Sequence, residues 1–420
     1  MRIRRAAVGW PALLVSLCCT SASAQTTTPT PPVPGTPPPI QGSTTIVPAA
    51  TPSDTLTQLV RPVGAPRVGD ALGLATQLAI ATAPLGAASG GFLIKLDPTT
   101  GLQVRTATTF GPSFAERALT NGEGKVSAGV SFSSVNYDRL DDAAFDGLQI
   151  RNTPGSTPAL ARSGVANVEV TAKSVIVAGR MGVTDNFDIG VTVPVVTVTV
   201  DGTTSLRNGN GETLLFAQGS NVSTGLGDVA GLAKFRFYSF GSGQPDPGGL
   251  ALMVTMRLPT GDKQQLRGLG VTRTMVSFIA SSGKGRFRPH GNVGYGYWSK
   301  GVSVVSDATN TTVEARHQFE YVGGLELEAA PKLTILLDLL GGEVLGGGKL
   351  GFASVTTGSP AVTSNALVAL PEGVSRLSLA PGMKVNLKGK FLLSLNALIA
   401  LRDTGLHARV TPVAGIDLTF

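Results

Sequence analysis

The chain has 420 residues, enough for one large barrel or two ordinary domains; only 15% are charged, against roughly 25% in a typical soluble protein, and its 54 glycines are about twice the usual share. Mean hydropathy is +0.21, yet no run of about 18 apolar residues follows the N-terminus, which argues against helical membrane spans and points to strands in lipid. The net charge of +7 would suit nucleic acid, but the basic residues are scattered along a strand pattern, so no nucleic-acid partner is expected.

Arg2, Arg4 and Arg5, the apolar run Ala6 to Leu17 and the small residues Ala22-Ser23-Ala24 read as a cleaved secretory signal over residues 1–24. Both cysteines, Cys18 and Cys19, lie inside it, so the mature chain is expected to hold no disulfide and no thiolate chemistry. Residues 25–53 carry no charge and are dominated by Thr and Pro, as in Pro37-Pro38-Pro39, which predicts a disordered, polyproline-like linker in the periplasm. In residues 54–119, Asp70 is placed to cap a helix over Ala71 to Ala83, stopped by Pro84. Phe92 to Leu96 and Leu102 to Thr106 flank the turn residues Asp97-Pro98-Thr99-Thr100-Gly101 and read as a hairpin. This region reads either as a small plug in a pore or as a periplasmic tether.

Residues 120–420 repeat stretches of alternating hydrophobicity separated by Gly, Asn, Asp, Ser and Thr. The stretches begin near Lys125, Val165, Asn186, Leu226, Leu250, Gly270, Arg286, Arg316, Lys332, Arg376, Phe391 and His407. The gaps between them alternate long (Asp138 to Ser163, Asp201 to Thr224, Gly341 to Val374) and short (Gly182 to Thr184, Ala330 to Pro331, Lys388 to Gly389). That parity belongs to a bacterial up-and-down barrel with short periplasmic turns and longer outer loops. The fold class is therefore an all-β, antiparallel transmembrane β-barrel of twelve strands, inserted in outer-membrane lipid. The last strand alternates Val410, Pro412, Ala414, Ile416, Leu418 and Phe420 against Thr411, Gly415, Asp417 and Thr419. It resembles the C-terminal assembly signal read by the barrel assembly machinery, with Phe420 as its terminal aromatic.

Lys or Arg facing lipid near mid-bilayer costs about 2 to 4 kcal/mol, so strand-borne charges must face inward. Alternation places Lys234, Arg236, Arg257, Glu320, Glu326, Asp338, Lys384, Arg402, Arg409 and Asp417 in the lumen. They form either a charged track or a set of mutually neutralising pairs that fills the interior. Met253, Leu336, Leu392, Leu398 and Val413 also point inward, so the lining is mixed and suits a narrow or plugged path. Trp298 faces inward by the same alternation, whereas Tyr238, Tyr295, Tyr297 and Tyr321 suit interfacial girdles.

His290, His317 and His407 lie in different strands and no cysteine accompanies them, so neither a metal cluster nor another cofactor is expected. Pro289-His290-Gly291-Asn292 lacks a partnered serine and reads as a bend in the seventh strand, so the chain is not expected to be an enzyme.

Three segments are similar to the outer-membrane barrel family named for the meta-pathway of phenol degradation, a relative of the long-chain fatty-acid transporters. They are Gly182 to Val191 (GVTDNFDIGV), Gly225-Leu226-Gly227-Asp228-Val229 running into Lys234 to Tyr238, and Arg257-Leu258-Pro259-Thr260-Gly261-Asp262. Phe110 to Leu119 (FGPSFAERAL) resembles a segment that leads into such barrels. The resemblance implies passive uptake of aromatic or other small hydrophobic solutes across the outer membrane. In Gly227-Asp228 and Gly261-Asp262 the glycines are expected to permit a bulge or tight turn and the aspartates to contact lumen or rim. The competing expectation is a structural or adhesive surface protein with a closed lumen.

Overall fold

The structure is a computed structural model that describes residues 49–60, 67–84, 86, 94–96, 103–105, 109–141, 143–153, 162–207, 213–240, 248–283, 285–357, 362–388 and 391–419. The expected secretory signal, nearly all of the Pro/Thr linker and Phe420 lie outside these residues.

Among the described residues twelve antiparallel strand positions close into a barrel. They are β1 (Val126–Tyr137), β2 (Arg162–Thr184), β3 (Phe187–Arg207), β4 (Thr213–Leu226, resuming as Ala230–Ser239), β5 (Gly248–Arg257) and β6 (Arg273–Ser282). β7 (Phe287–Trp298), β8 (Gln318–Ala330), β9 (Leu333–Thr357), β10 (Val362–Lys388), β11 (Phe391–Asp403) and β12 (Val410–Thr419) complete the wall. Each pairs with the next, and Val413↔Ser133 through Thr419↔Ser127 joins the last strand to the first, so the sheet has no edge.

The wall obeys a period of two. On β2, Ala172, Ile176, Ala178 and Arg180 are buried inward while Val175, Val177, Met181 and Val183 are exposed outward; on β9, Leu336 and Asp338 are inward and Ile335, Leu337 and Leu339 outward. The outward apolar run on β2 stops below Lys173, which is exposed. From Val183 to Val175 a strand tilted by about 40° climbs roughly 20 Å, close to the apolar band of an outer-membrane barrel. The tight turns, such as Asp185-Asn186 between β2 and β3, mark the periplasmic end.

All three expected long outer gaps hold strand; in the first, Leu148–Thr153 pairs with Arg162 to Ala166 and with Thr363 to Asn365. The gap from Asp201 to Thr224 is a ribbon in which Arg207 pairs with Thr213, and the gap from Gly341 to Val374 is one in which Thr357 pairs with Val362. Both are rich in Gly, Ser and Thr; above the membrane no lipid enforces apolar alternation, so the sequence signal fades while the backbone ladder continues. The second strand likewise starts at Arg162 rather than Val165. The fourth is interrupted at 227–229, its first piece pairing with the upper part of β3 and its second with the lower part.

Two helices fill the outer half of the lumen. α1 (Pro52–Val60) falls across the boundary expected at residue 53. Its start follows standard rules: Thr51 Oγ1 accepts from the Asp54 N–H at 3.1 Å and donates to Asp54 Oδ2 at 2.8 Å, with proline at the first helical position. α2 (Val68–Ala81) begins three residues earlier than expected, and Asp70 sits in its first turn instead of capping it. It is apolar on most sides, with Asp70 alone exposed, because the barrel surrounds it: Leu72 and Leu78 join Val168, Val198, Val200, Trp298, Val344 and Leu367 of the wall. The hairpin Val302–Val305 with Thr312–Ala315 adds Val302, Val304 and Val313 to the same core. Each fully buried leucine there contributes about 1.5 to 3 kcal/mol. Ile94–Leu96 pairs antiparallel with Gln103–Arg105 as the expected hairpin; its turn lies outside the described residues.

Val177→Arg puts a cation on the lipid face of β2. Folding into bilayers, followed by denaturant titration, should show a loss of about 2 to 4 kcal/mol. A loss below about 0.5 kcal/mol would remove Val177 from the lipid contact.

Candidate functional site: a self-filled lumen

Residues 109–122 form an irregular strap inside the periplasmic half of the barrel, buried at nearly every position. It enters near Phe110, whose N–H donates to Thr334 Oγ1 at 3.1 Å, and rises to Phe114 at mid-height. It then descends to Gly122, whose carbonyl packs where Gly182 would otherwise carry a Cβ. Only glycine at 182 permits that approach.

Ion pairs of opposite polarity hold the strap to opposite walls. Glu116 forms a bidentate pair with Arg180 of β2 (2.9 and 2.7 Å) and lies 3.4 Å from Lys234 Nζ of β4. Lys234 also donates to the strap carbonyls of Arg117 (3.2 Å) and Leu119 (2.7 Å). Asp188 of β3 accepts the Asn121 N–H at 3.0 Å. With its amide oriented by its neighbours, Asn292 brackets the Glu116 backbone, accepting from N–H at 2.8 Å and donating to C=O at 3.0 Å. On the other side Arg117 grips both carboxylate oxygens of Glu326 and the Thr109 hydroxyl. Behind Glu326, His290 Nε2 lies 2.8 Å from Asp338 Oδ1. Lys384 donates to the Pro112 carbonyl at 2.8 Å and lies 4.0 Å from Asp417. Burial drives the Glu116 carboxyl upward, but Arg180 and Lys234 outweigh it and hold the group down at about 2.

Where the strap gives way to the helices the two Gly-Asp motifs form one knot. Asp228, in the break of β4, accepts from Gly261 N–H at 3.2 Å and from Arg273 at 3.1 Å, drawing the 258–272 loop inward. The Gly227 carbonyl accepts from the Thr260 hydroxyl at 2.7 Å. A side chain at Gly225 would collide with the Arg267 guanidinium. Leu266, Leu269 and Val271 of the loop join the helix core. Arg257 (2.8 Å) and Arg273 (3.0 Å) donate to the Ala81 carbonyl, and Arg376 to the Thr82 hydroxyl, so three cations clasp the C-terminus of α2 where its dipole is negative.

Among the described residues, cavities lie between the strap and α2. One of about 100 Å³ is mostly apolar, walled by Ala79, Ala83, Pro84, Val135, Ile176, Leu398, Leu406 and Val413, with Tyr137, Arg376 and His407 at its margin. One of about 140 Å³ is more polar and bordered by Arg180, Arg257, Glu116 and Glu320. A third, of about 30 Å³, lies beside Lys384 and Asp417. Gly86 borders all three, and Phe114 borders the last two.

Of the expected lumen charges, Lys234, Arg257, Glu320, Glu326, Asp338, Lys384 and Asp417 lie inside. Arg236 does not: it bonds Asn186 Oδ1 (2.9 Å) and the Asp185 carbonyl (3.1 Å) at the periplasmic rim. Arg402 and Arg409 are exposed at the outer rim, where the strands end and no lipid constrains them. His290 sits in an unbroken strand paired with Gly324 and Ser281, not at a bend, and its ring belongs to the ion network. Pro259 is exposed, and Asp262 caps its own turn through the Gln264 and Gln265 N–H groups. Trp298 is fully buried, and Tyr238, Tyr295, Tyr297 and Tyr321 face outward. Glu116, Arg117, Arg180, Asp188 and Arg273 were not singled out by the sequence. The inward parity of Arg180 and Asp188, and two adjacent charges within the apolar stretch FGPSFAERAL, were the available signals.

No family model and no curated protein matches the chain. Among solved structures, an outer membrane channel from Pseudomonas putida F1 is similar at a TM-score of 0.44 and 11% identity, over 72% of this chain and 98% of that one. A Pseudomonas aeruginosa FadL homologue is similar at a TM-score of 0.31 and 10% identity, over 82% and 97%. OprB from Pseudomonas putida gives a TM-score of 0.26 at 7% identity, over 70% and 92%.

Because Glu116 titrates lower in the folded barrel (about 2) than when free (4.5), the stability it lends is complete above about pH 5 and is lost as pH falls through the folded value. Conductance in planar bilayers should stay flat from about pH 7 to 5 and rise between about pH 4 and 2, with Glu116→Gln already raised at pH 7. A flat profile down to about pH 2 would show that this carboxylate does not hold the strap.

Proposed function

We propose that the chain is an outer-membrane channel for passive uptake of small, partly hydrophobic solutes, single-ring aromatics among them, and that the described state is its closed one. The observation that carries this reading is an apolar cavity of about 100 Å³ within a barrel whose exterior is an apolar belt. An engineered protein cavity of roughly 150 Å³ holds one benzene; this one is about two-thirds of that and carries the hydroxyls of Ser131, Ser133, Ser378 and Thr411 among its apolar walls, so it takes a ring only when the strap gives way. Lipid contacts the belt, and the assembly machinery takes the last strand as its signal. The ion pairs inside neutralise one another, so they favour closure and selectivity over a continuous charged track.

A second reading, a surface or structural protein whose lumen never opens, is favoured by how completely the strap and helices fill the barrel and by the two projecting ribbons. Two measurements separate the readings. Cells with the protein should take up small aromatics from a panel of aromatic and aliphatic compounds several-fold faster than cells without it. Purified protein should show discrete conductance steps that lengthen in Arg117→Ala, which loses the Glu326 pair. No difference on any compound, together with no conductance in either protein, would leave the closed-lumen reading standing.

A further inference from the structure

The strap carries apolar residues every fourth position, and each lodges against an apolar patch of the inner wall. Phe110 meets Leu392; Ala118 meets Ala251 and Ile279; Phe114 meets Leu340 and Ala380, with Val322, Leu398 and Val413 around it. The Phe114 patch differs from the other two in three respects. It is built from five neighbouring strands, β8 to β12, at one height. The backbone leading into it is clamped, by Lys384 on the Pro112 carbonyl (2.8 Å) and by Asp338 accepting the Phe114 N–H (3.3 Å). It also adjoins the empty volumes: Phe114 borders the 30 and 140 Å³ cavities, while Leu398 and Val413 border the 100 Å³ one.

An apolar patch facing the lumen of a water-exposed pore is a liability unless something covers it. Here the cover is a phenyl ring on a segment held by ionic contacts. We infer that the mid-height patch formed by Val322, Leu340, Ala380, Leu398 and Val413 is a binding site for one neutral aromatic ring, and that Phe114 occupies it as a built-in surrogate. This inference rests on the channel reading for its physiological meaning but not for its test. A solute ring competes with Phe114 for the patch, and release of the strap exposes it. The site takes the ring by shape and burial; its nearest charges are already committed to the strap backbone.

Equilibrium binding of toluene to the detergent-purified full chain, read by competition with an apolar fluorescent probe, tests the site directly. Phe114→Ala should bind toluene at least tenfold more tightly than the parent protein. Phe114→Leu, which keeps an apolar filler, should bind no better than the parent. Leu398→Asn added to Phe114→Ala should abolish the gain, while heat-modifiable gel mobility reports that each barrel is folded. Equal affinity in parent and Phe114→Ala, or a gain that survives Leu398→Asn, would overturn the inference. Liposome uptake of the same ring separates the two ideas. Binding without flux in any variant sinks the channel and leaves the site; flux without a gain in binding sinks the site and leaves the channel.

Discussion

Lipid cannot solvate an ion, and that one restriction arranges everything inside this barrel. Each charged side chain on a membrane-level strand must turn inward, where water is scarce and a second charge is needed to offset the loss of hydration. Arg180, Lys234 and Asp188 leave one region of the inner wall with surplus positive charge; Glu326, Asp338 and the histidine between them make another region acidic. Glu116 and Arg117, adjacent in sequence, project to these two regions with matching opposite signs. The strap is thus the electrostatic complement of the wall that surrounds it.

The same segment answers the apolar positions that face inward. Leu392, Leu340 and Ile279 would be out of place in an aqueous lumen, yet each is covered by Phe110, Phe114 or Ala118. Ionic and apolar contacts therefore act on one short stretch of chain and fix its register twice over. Half-satisfied networks of this kind are costly, so the strap is expected to leave as a unit rather than residue by residue.

The two halves of the interior use different physics. The periplasmic half is filled by charge and hydrogen bonds, the outer half by a hydrophobic core around α2, with the Asp228 knot and the three arginines on the helix terminus at the junction. Apolar packing responds little to pH or salt, whereas the ionic half responds to both. The periplasmic half is therefore the one that a change of pH or salt loosens first, and the cavities lie where the two regimes meet.

The barrel and its topology were legible in the chain because lipid on one side imposes a strict two-residue period: Val175, Val177 and Met181 against Ile176, Ala178 and Arg180 need no tertiary information. The ribbons beyond the membrane and the rim positions of Arg236, Arg402 and Arg409 were not legible, because outside the bilayer that period carries no energetic weight. α1 was not foreseen, although its cap in Thr51-Pro52-Ser53-Asp54 is local, because that cap straddles the end of the Pro/Thr-rich stretch expected to be disordered. What the sequence determined by itself was which face of each strand meets lipid, since that depends only on neighbours two residues apart. Which charges meet, that Glu116 seeks Arg180 while Arg117 seeks Glu326, and that Phe114 fills the centre were decided only by the closed barrel. Those contacts join residues 64 and 209 positions apart, and no local preference specifies a pairing at that range.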